Sequence, residues 1–148
     1  MPGNFDQNTA LLEDTAEKVE TIEEIAQINF QQWKDALLSG NAEIVASLYA
    51  PDATLLGTVS SKLDKGLDKI QGYFQHFLEQ DPNSEIVDEV VQELGPDHYL
   101  HLGMYNFKIG PSDAKQTIEA RFSFVWKKND VGDWEILHHH SSIKPEEE

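Results

Sequence analysis

The sequence predicts one α+β domain in which an antiparallel β-sheet carries helices on one face. Apolar residues recur at helical spacing in the first half of the chain, whereas strand-forming runs alternate with turn sequences after Pro82. With 148 residues, of which 39% are hydrophobic, the chain is long enough for one hydrophobic core and short for two. We therefore expect a flexible lead-in at 1–8, a single domain at 9–145 and an acidic tail at 146–148.

Three helices are expected in the first half of the chain. A long first helix should end at Ser39-Gly40, because glycine suits the left-handed position after a helix. Asn41 is expected to cap a second helix at 42–49. A third helix is expected at 67–77, and it should stop before Asp81-Pro82. The apolar positions of the first helix are Leu12, Ala16, Val19, Ile22, Ala26, Phe30, Trp33 and Leu37.

Five strands are expected to form the sheet. The run "TLLGTV" at 54–59 is rich in β-forming residues and follows "APDA", a turn sequence. Four more strands are expected at 86–94, 99–109, 114–128 and 133–143, separated by the turn sequences "GPD", "GPSD" and "NDVG". Strands joined by short turns form a meander, and a meander packed over helices can enclose a pocket.

Composition and charge exclude several classes of function. The chain has 27 acidic and 11 basic residues and a formal net charge of −16, so nucleic acids and anionic membranes are poor partners. It has no cysteine, which excludes disulfides and thiolate chemistry. No apolar run approaches the roughly 20 residues that cross a bilayer, and no targeting segment is visible, so we expect a cytoplasmic protein.

The sequence "WEILHHHSS" in the last predicted strand contains the strongest candidates for catalytic or binding residues. Side chains alternate between the two faces of a strand, so His139 and Ser141 should share one face. His138 and His140 should then lie on the opposite face. The run therefore predicts two separate pairs of polar side chains.

The register of the last hairpin decides which residues accompany each pair. If Trp126 lies opposite Trp134, Arg121 lies opposite His139, on a mixed face suited to a small ligand. A guanidinium among apolar neighbours is costly unless it is paired or faces an anion. The other face is aromatic and, if it lies outside, should form a dimer interface. It comprises Phe122, Phe124, Trp126, Trp134, Ile136, His138 and His140.

Two other roles of the histidine run stay open on the sequence. His138 and His140 could bind one zinc ion together with a third ligand such as His76. No cysteine, HExxH or DxDxDG pattern accompanies them. Alternatively, the imidazoles are hydrogen-bonded residues of the core or of an interface.

Three segments resemble the association domain of calcium/calmodulin-dependent protein kinase II, over residues 28–145. They are "ALLSGNAEIVASLYAPDATLL", "GLDKIQGYFQHFL" and "RFSFVWKKNDVGDWEILHHHSS". That domain belongs to the superfamily of nuclear transport factor 2, polyketide cyclases and steroid isomerases. The resemblance implies a cone-shaped, strongly curved antiparallel sheet wrapped over about three helices. Kinase association domains of this shape form rings, so it also implies a homodimer or larger homo-oligomer.

Within that superfamily, "LLGTVSSK", "YFQHFL" and "HHHSS" resemble the iota-class carbonic anhydrases, which hydrate carbon dioxide to bicarbonate. Several members of that class work without a metal, whereas others have been described with manganese or zinc. The resemblance implies that Thr58, Tyr73 and Ser141 hydrogen-bond the substrate, with His139 beside them. The sequence departs from the class at Gly57, where a proline is expected.

The resemblance implies a hydration site without a metal or other cofactor, zinc or manganese being the alternative. His139, with the ordinary imidazole pKa of about 6.5, is expected to take or relay the proton of water. Thr58 and Ser141 would hold the water and the bicarbonate oxygens, and Arg121 would favour negative charge. Tyr73 would bind substrate and assist the proton relay.

Two functions of other kinds stay open. Kinase association domains bind small carboxylates through pocket arginines, so the main alternative is a non-catalytic module for anion binding or oligomerisation. A cyclase or isomerase normally needs a carboxylate base in the pocket. On the predicted pocket face of the last strand, only Glu135 offers one.

Overall fold

The computed structural model describes residues 20–146, which form three helices and one six-stranded sheet. The predicted α+β class is confirmed. No helix in this part of the chain is long and apolar enough to cross a membrane. The helices are α1 (Ile22–Leu38), α2 (Ala42–Ala46) and α3 (Leu67–Phe77), the last continued by a 3-10 turn at Leu78–Gln80. The strands are β1 (Tyr49–Leu56), β2 (Leu63–Lys65), β3 (Asn83–Gly95), β4 (His98–Ile109), β5 (Gln116–Lys128) and β6 (Trp134–Ile143).

The first helix begins later than the sequence predicts. Thr21 has extended backbone angles, and its side chain accepts a hydrogen bond from the backbone N–H of Glu24 at 3.1 Å. The Glu24 carboxylate accepts one from the backbone N–H of Thr21 at 2.8 Å. This reciprocal capping box starts α1 at Ile22, so the helix does not run on unbroken from position 12. The predicted positions Leu12, Ala16 and Val19 lie outside the described residues.

The boundary between α2 and β1 also differs from prediction. Asn41 caps α2 as expected, accepting from the backbone N–H of Glu43 at 2.9 Å. However, α2 ends at Ala46, and β1 runs through "APDA", the predicted turn. Pro51 is tolerated because it lies where the pairing of β1 with β6 is irregular, so its missing N–H breaks no regular ladder. Pairing across the sheet thus overrides the local turn preference.

The sheet is mixed rather than purely antiparallel. Its strand order is β2-β1-β6-β5-β4-β3. The four strands after α3 form the predicted meander, but β1 pairs in parallel with β6, placing Thr54 beside His138 and Leu55 beside His139. The short strand β2, which is not among the five predicted strands, pairs with the other side of β1. The strong curvature implied by the resemblance stays a prediction.

The β5–β6 hairpin has a different register from the one predicted. Trp134 lies opposite Lys128, and Trp126 lies opposite Ile136. The loop between them is closed by a hydrogen bond from the Asn129 N–H to the Asp133 carbonyl, at 2.7 Å. The predicted pairing of the two tryptophans is therefore wrong by two positions.

A β-bulge at Leu137 changes which residues of β6 face the helices. Trp126 pairs with Ile136, but its neighbour Val125 pairs with His138, so Leu137 is an extra residue. Before the bulge the even-numbered residues of β6 face inward, and after it the odd-numbered residues do. His139 accordingly faces the interior.

The aromatic face of β5 forms the hydrophobic core beneath α1. Phe122, Phe124 and Trp126 are each at most 3% exposed. The Phe124 ring meets Trp33 of α1 edge to face, with ring centroids 5.3 Å apart. The condition under which this face was expected to form a dimer interface is not met, because the helices cover it and it does not lie outside. We call this covered side the inner face of the sheet and the opposite side its outer face.

Candidate active site

His139 lies in the core near the middle of β6 and is 2% exposed. Its ring stacks on Phe124 at a centroid distance of 4.0 Å, and Trp33 packs against it edge-on at 5.4 Å. The Tyr49 hydroxyl lies 2.9 Å from Nδ1, and the Tyr105 hydroxyl lies 3.1 Å from Nε2. Both polar atoms of this buried imidazole are therefore satisfied.

A chain of hydroxyl groups leads from His139 to the end of β1. The Tyr105 hydroxyl donates to Ser141 Oγ at 2.6 Å, and Ser141 Oγ lies 2.5 Å from Thr58 Oγ1. Thr58 occupies the turn after β1, and its hydroxyl interacts with Tyr73 of α3. The structure thus brings together four of the predicted site residues, from the β1 turn, α3 and β6. We call Thr58, Tyr73, Tyr105, His139 and Ser141 the hydroxyl cluster.

Trp33 and Tyr49 fix the direction of the hydrogen bonds behind the cluster. Trp33 Nε1, which can only donate, lies 3.2 Å from the Tyr49 hydroxyl. The Tyr49 proton then has one acceptor among the described residues, Nδ1 of His139. The neutral imidazole must therefore carry its proton on Nε2 and donate it to Tyr105. The reverse order would leave the buried Tyr49 proton without an acceptor, at a cost of about 1–3 kcal/mol.

The same direction continues to the outer end of the chain. Because Tyr105 donates to Ser141, the Ser141 proton is directed to Thr58. The Thr58 proton is then free for Tyr73 or for a ligand. The cluster therefore ends in hydrogen-bond donors, which suits a ligand with acceptor oxygens.

Burial keeps these groups neutral. It lowers the pKa of His139 well below its usual value, and repulsion from His138 and His140 lowers it further. Burial also raises the pKa of Tyr49 and of Tyr105 above the ordinary tyrosine value. The expectation of an ordinary pKa for His139 is wrong, because protonating a fully buried imidazole costs desolvation free energy. His139 is therefore a poor net acceptor of the proton of water.

A surface pocket of about 460 Å³ opens beside Tyr73, the one member of the hydroxyl cluster that lines it. The Tyr73 hydroxyl lies 3.4 Å from the backbone N of Val59, which donates to it. Burial raises the pKa of Tyr73, and hydrogen bonds from Val59 and Thr58 offset part of that rise. The pocket walls include Val59, Lys62, Asp64, Lys69, Tyr73 and His76.

Gly57 makes room for the ring of Tyr73. A Cβ atom at this buried position would overlap the ring, which stacks on Phe77 with ring centroids 5.7 Å apart. A proline at position 57 would meet the same ring. The departure of this sequence from the carbonic anhydrase pattern is therefore linked to where Tyr73 lies.

Arg121 lies outside this site. It is exposed on the outer face, where its guanidinium donates to Ser142 Oγ at 3.3 Å. The predicted pairing of Arg121 with His139 on one face is wrong, because the bulge at Leu137 shifts β6 by one residue. The predicted separation of His139 from His138 and His140 is correct, although the latter two lie away from the aromatic layer.

Hydrogen bonds leave His139 no ring nitrogen for a metal ion. Both ring nitrogens of His139 are hydrogen bonded, and Nδ1 of His138 lies 2.6 Å from the Thr54 hydroxyl on the outer face. A histidine ligand must offer a free lone pair and share its metal with other ligands. No three histidine or acidic side chains within residues 20–146 are grouped to do so.

Carboxylates are also scarce in the interior. None of the aspartate and glutamate side chains in the described part of the chain is buried. Glu135 lies opposite Lys127 near the hairpin end, and Asp64 is half-buried in the wall of the surface pocket. Within residues 20–146, no carboxylate is therefore enclosed as the base of a cyclase or isomerase would be.

The sequence misses two members of the hydrogen-bonded chain. Tyr49 is predicted to end a helix, whereas it starts β1 and faces His139. Tyr105 falls in a predicted strand and belongs to no motif. The signal that could find it is alternation: Tyr105 shares the inner face of β4 with Tyr99 and Phe107, and a buried tyrosine hydroxyl usually has a partner.

Comparisons with known proteins identify the family. The family model for the calcium/calmodulin dependent protein kinase II association domain matches residues 21–145. The chain belongs to this family. A crystal structure of a candidate association domain of this kind from Xanthomonas campestris is 38% identical, with a TM-score of 0.81, and the match covers 87% of this chain and 91% of that one.

More distant structures share the fold. The calmodulin-dependent kinase hub homology domain of Chlamydomonas reinhardtii is 20% identical with a TM-score of 0.65, covering 81% of this chain and 96% of that one. An NTF2-like protein with a cystatin-like fold from Novosphingobium aromaticivorans is 15% identical with a TM-score of 0.66, covering 97% and 90%. No curated protein gives a significant match. The NTF2-like fold implied by the resemblance is thus supported by several structures.

Proposed function

We propose that this association domain is a carbonic anhydrase that hydrates carbon dioxide reversibly at the hydroxyl cluster without a metal. The observation that carries the proposal is the oriented chain of hydrogen bonds from His139 to Thr58 and Tyr73, which ends in donors beside a pocket. The resemblance of the motifs around Thr58, Tyr73 and Ser141 to the iota class supports it.

In this proposal, Thr58 and Tyr73 bind the oxygens of the reacting species. Hydration joins a water oxygen to the carbon of carbon dioxide, releases one proton and leaves negative charge on the bicarbonate oxygens. Hydroxyl groups already aimed at those oxygens stabilise that charge without reorganising. Tyr105 and Ser141, behind them, hold the hydroxyl of Thr58 in position.

His139 positions the cluster in this proposal rather than acting as its base. Its lowered pKa disfavours the imidazolium, and the proton on Nε2 already points at Tyr105. The proton released by water must therefore leave through the pocket. His76 lines that pocket and is exposed, so its imidazole can pass the proton to solvent.

Stopped-flow measurement of carbon dioxide hydration tests the proposal. Thr58→Val and Tyr73→Phe keep the side-chain shape but remove a donor, and each should lower the rate by about 100-fold or more. Thr54→Val and Tyr99→Phe are matched controls, because those hydroxyls bind His138 and Asn29 outside the cluster. The controls should keep the wild-type rate, and a chelator should not lower it.

Three results would count against this function. They are a wild-type rate equal to that of buffer, equal losses in all four variants, and hydration that a chelator abolishes and zinc or manganese restores. The last result would transfer the chemistry to a bound ion.

Family membership favours a second function more directly than the first. The match over residues 21–145 and the similarity to a hub homology domain support a homo-oligomeric assembly module. Binding of small anions by that module follows only from the resemblance of the sequence to kinase association domains. Analytical ultracentrifugation of the wild-type protein tests the assembly. A stable oligomer that shows no hydration activity would support this second function and contradict the first.

A further inference from the structure

We propose a second binding site on the outer face of the β5–β6 hairpin, where Arg121, Ser123, His140 and Ser142 bind a small inorganic oxyanion. Phosphate and bicarbonate have the required chemistry. The inference does not rest on the proposed hydration activity, because the sheet lies between this site and the hydroxyl cluster.

Strand pairing brings these four side chains together. Arg121 lies opposite Ser142, and Ser123 lies opposite His140. Residues that are opposed or diagonal on one face of an antiparallel pair lie about 4.5–8 Å apart, so the four form one patch. Together with Phe122 they line a pocket of about 200 Å³.

The pocket offers hydrogen-bond donors and no carboxylate. The Arg121 guanidinium has five N–H groups, and one of them donates to Ser142 Oγ at 3.3 Å. In the described part of the chain the guanidinium makes no ion pair. Ser123 and Ser142 add hydroxyls, and His140 adds a ring nitrogen. A planar guanidinium fork flanked by hydroxyls matches the geometry of an oxyanion.

The local charge also favours an anion, although the whole chain is strongly acidic. Arg121 is the only arginine among 148 residues. The one acid of β5, Glu119, lies two positions before Arg121, and its carboxylate is 3.6 Å from the Lys144 ammonium. The Glu119 carboxylate is therefore paired with Lys144 rather than with Arg121. The guanidinium is thus left available in a chain that has 27 acidic residues.

A titration with phosphate, and separately with bicarbonate, tests this site. The full chain is observed by NMR at constant ionic strength, with chloride as the reference anion. We expect saturable shifts of the Arg121 Nε–H and of the Ser123 and Ser142 amides, with a dissociation constant of about 1 mM, typical of one small anion held by a few contacts.

Two charge variants of β5 make the test specific. Arg121→Gln should weaken binding about tenfold or more, because it removes the charge-assisted hydrogen bonds. Lys127→Gln removes an equal charge from the same face, six residues or about 20 Å away. At physiological ionic strength, its effect should stay below about twofold, because charges at that distance are screened.

Four outcomes would overturn the proposal. Shifts that do not saturate, or equal weakening in both variants, would show only a general effect of charge. Shifts confined to Thr58 and Tyr73 would place the anion at the hydroxyl cluster instead. Arg121 shifts that depend on protein concentration without added anion would identify the occupant as a carboxylate of a second copy. None of these readouts depends on carbon dioxide hydration.

Discussion

The two faces of the β5–β6 hairpin use the same residue types in opposite ways. On the inner face, His139 and Ser141 are buried, and each of their hydrogen bonds has a partner within the protein. On the outer face, the next residues in the sequence, His140 and Ser142, lie beside Arg121, whose guanidinium has N–H groups that no side chain of this patch accepts. Burial, rather than residue type, decides whether such side chains form a closed network or an open binding surface.

The largest expected difference between the faces is in packing. Phe124 is fully buried against His139 and Trp33, so Phe124→Ala should lower the free energy of unfolding by about 3–5 kcal/mol. Its neighbour Val125 points to the outer face and is half-buried, so Val125→Ala should cost about 1 kcal/mol. Urea unfolding monitored by tryptophan fluorescence measures both. Similar costs for the two variants would contradict the assignment of the inner face.

A smaller difference is expected for two serines. Ser141→Ala removes hydrogen bonds to Tyr105 and Thr58 and should cost about 1–3 kcal/mol of unfolding free energy. Ser123→Ala, on the outer face, should change it by less than about 0.5 kcal/mol. The same urea experiment tests this pair. A stability loss in Ser123→Ala equal to that in Ser141→Ala would mean that the outer face is closed as well.

The pH dependence of the free energy of unfolding should report the titration of the His139 imidazole. The folded-state pKa of His139 is well below that of the same residue in the unfolded chain, near 6.5. As the pH falls through about 6.5, the unfolded state therefore binds more protons, and the free energy of unfolding decreases. His139 contributes up to about 1.4 kcal/mol per pH unit to this slope, until the folded-state pKa is reached.

Urea unfolding at several pH values between about 7.5 and 5.5 measures the slope. His139→Asn should make it shallower than in the wild type, even though the variant is less stable throughout. An unchanged slope would mean that His139 titrates alike in both states.

The smallest expected effect is a change of tautomer. In the wild type, nitrogen NMR should find the His139 proton on Nε2. Tyr49→Phe should keep it there, because the Nε2–H still donates to Tyr105. Tyr105→Phe should give a mixture, because either tautomer then leaves one proton without an acceptor. If Tyr49→Phe shifts the tautomer and Tyr105→Phe does not, the direction assigned to the chain is reversed.

Patterns with a short period could be predicted from the sequence. The separation of His139 and Ser141 from His138 and His140 follows from strand alternation alone, and a bulge that precedes all four residues does not disturb it. The capping of α2 by Asn41 is similarly local. Such features depend on neighbouring residues, which the sequence shows directly.

Features that depend on distant pairing could not be predicted. The bulge at Leu137 lies where β6 pairs with both β5 and β1, and nothing in "WEILHHH" marks it. Arg121 was therefore expected on the wrong face. The contribution of Tyr49 to the site required the parallel pairing of β1 with β6, which overrides the local signals for a helix end and a turn.

The parallel pairing of β1 with β6 has a consequence for folding. Thr58 and Ser141, which meet across this part of the fold, are 83 residues apart in the chain. Contacts between such distant segments require closure of a long loop, so they form more slowly than the local helices and hairpins. The hydroxyl cluster is expected to assemble only in the last stage of folding, and a chain that has folded its meander without docking β1 would hold His139 and Ser141 but no site.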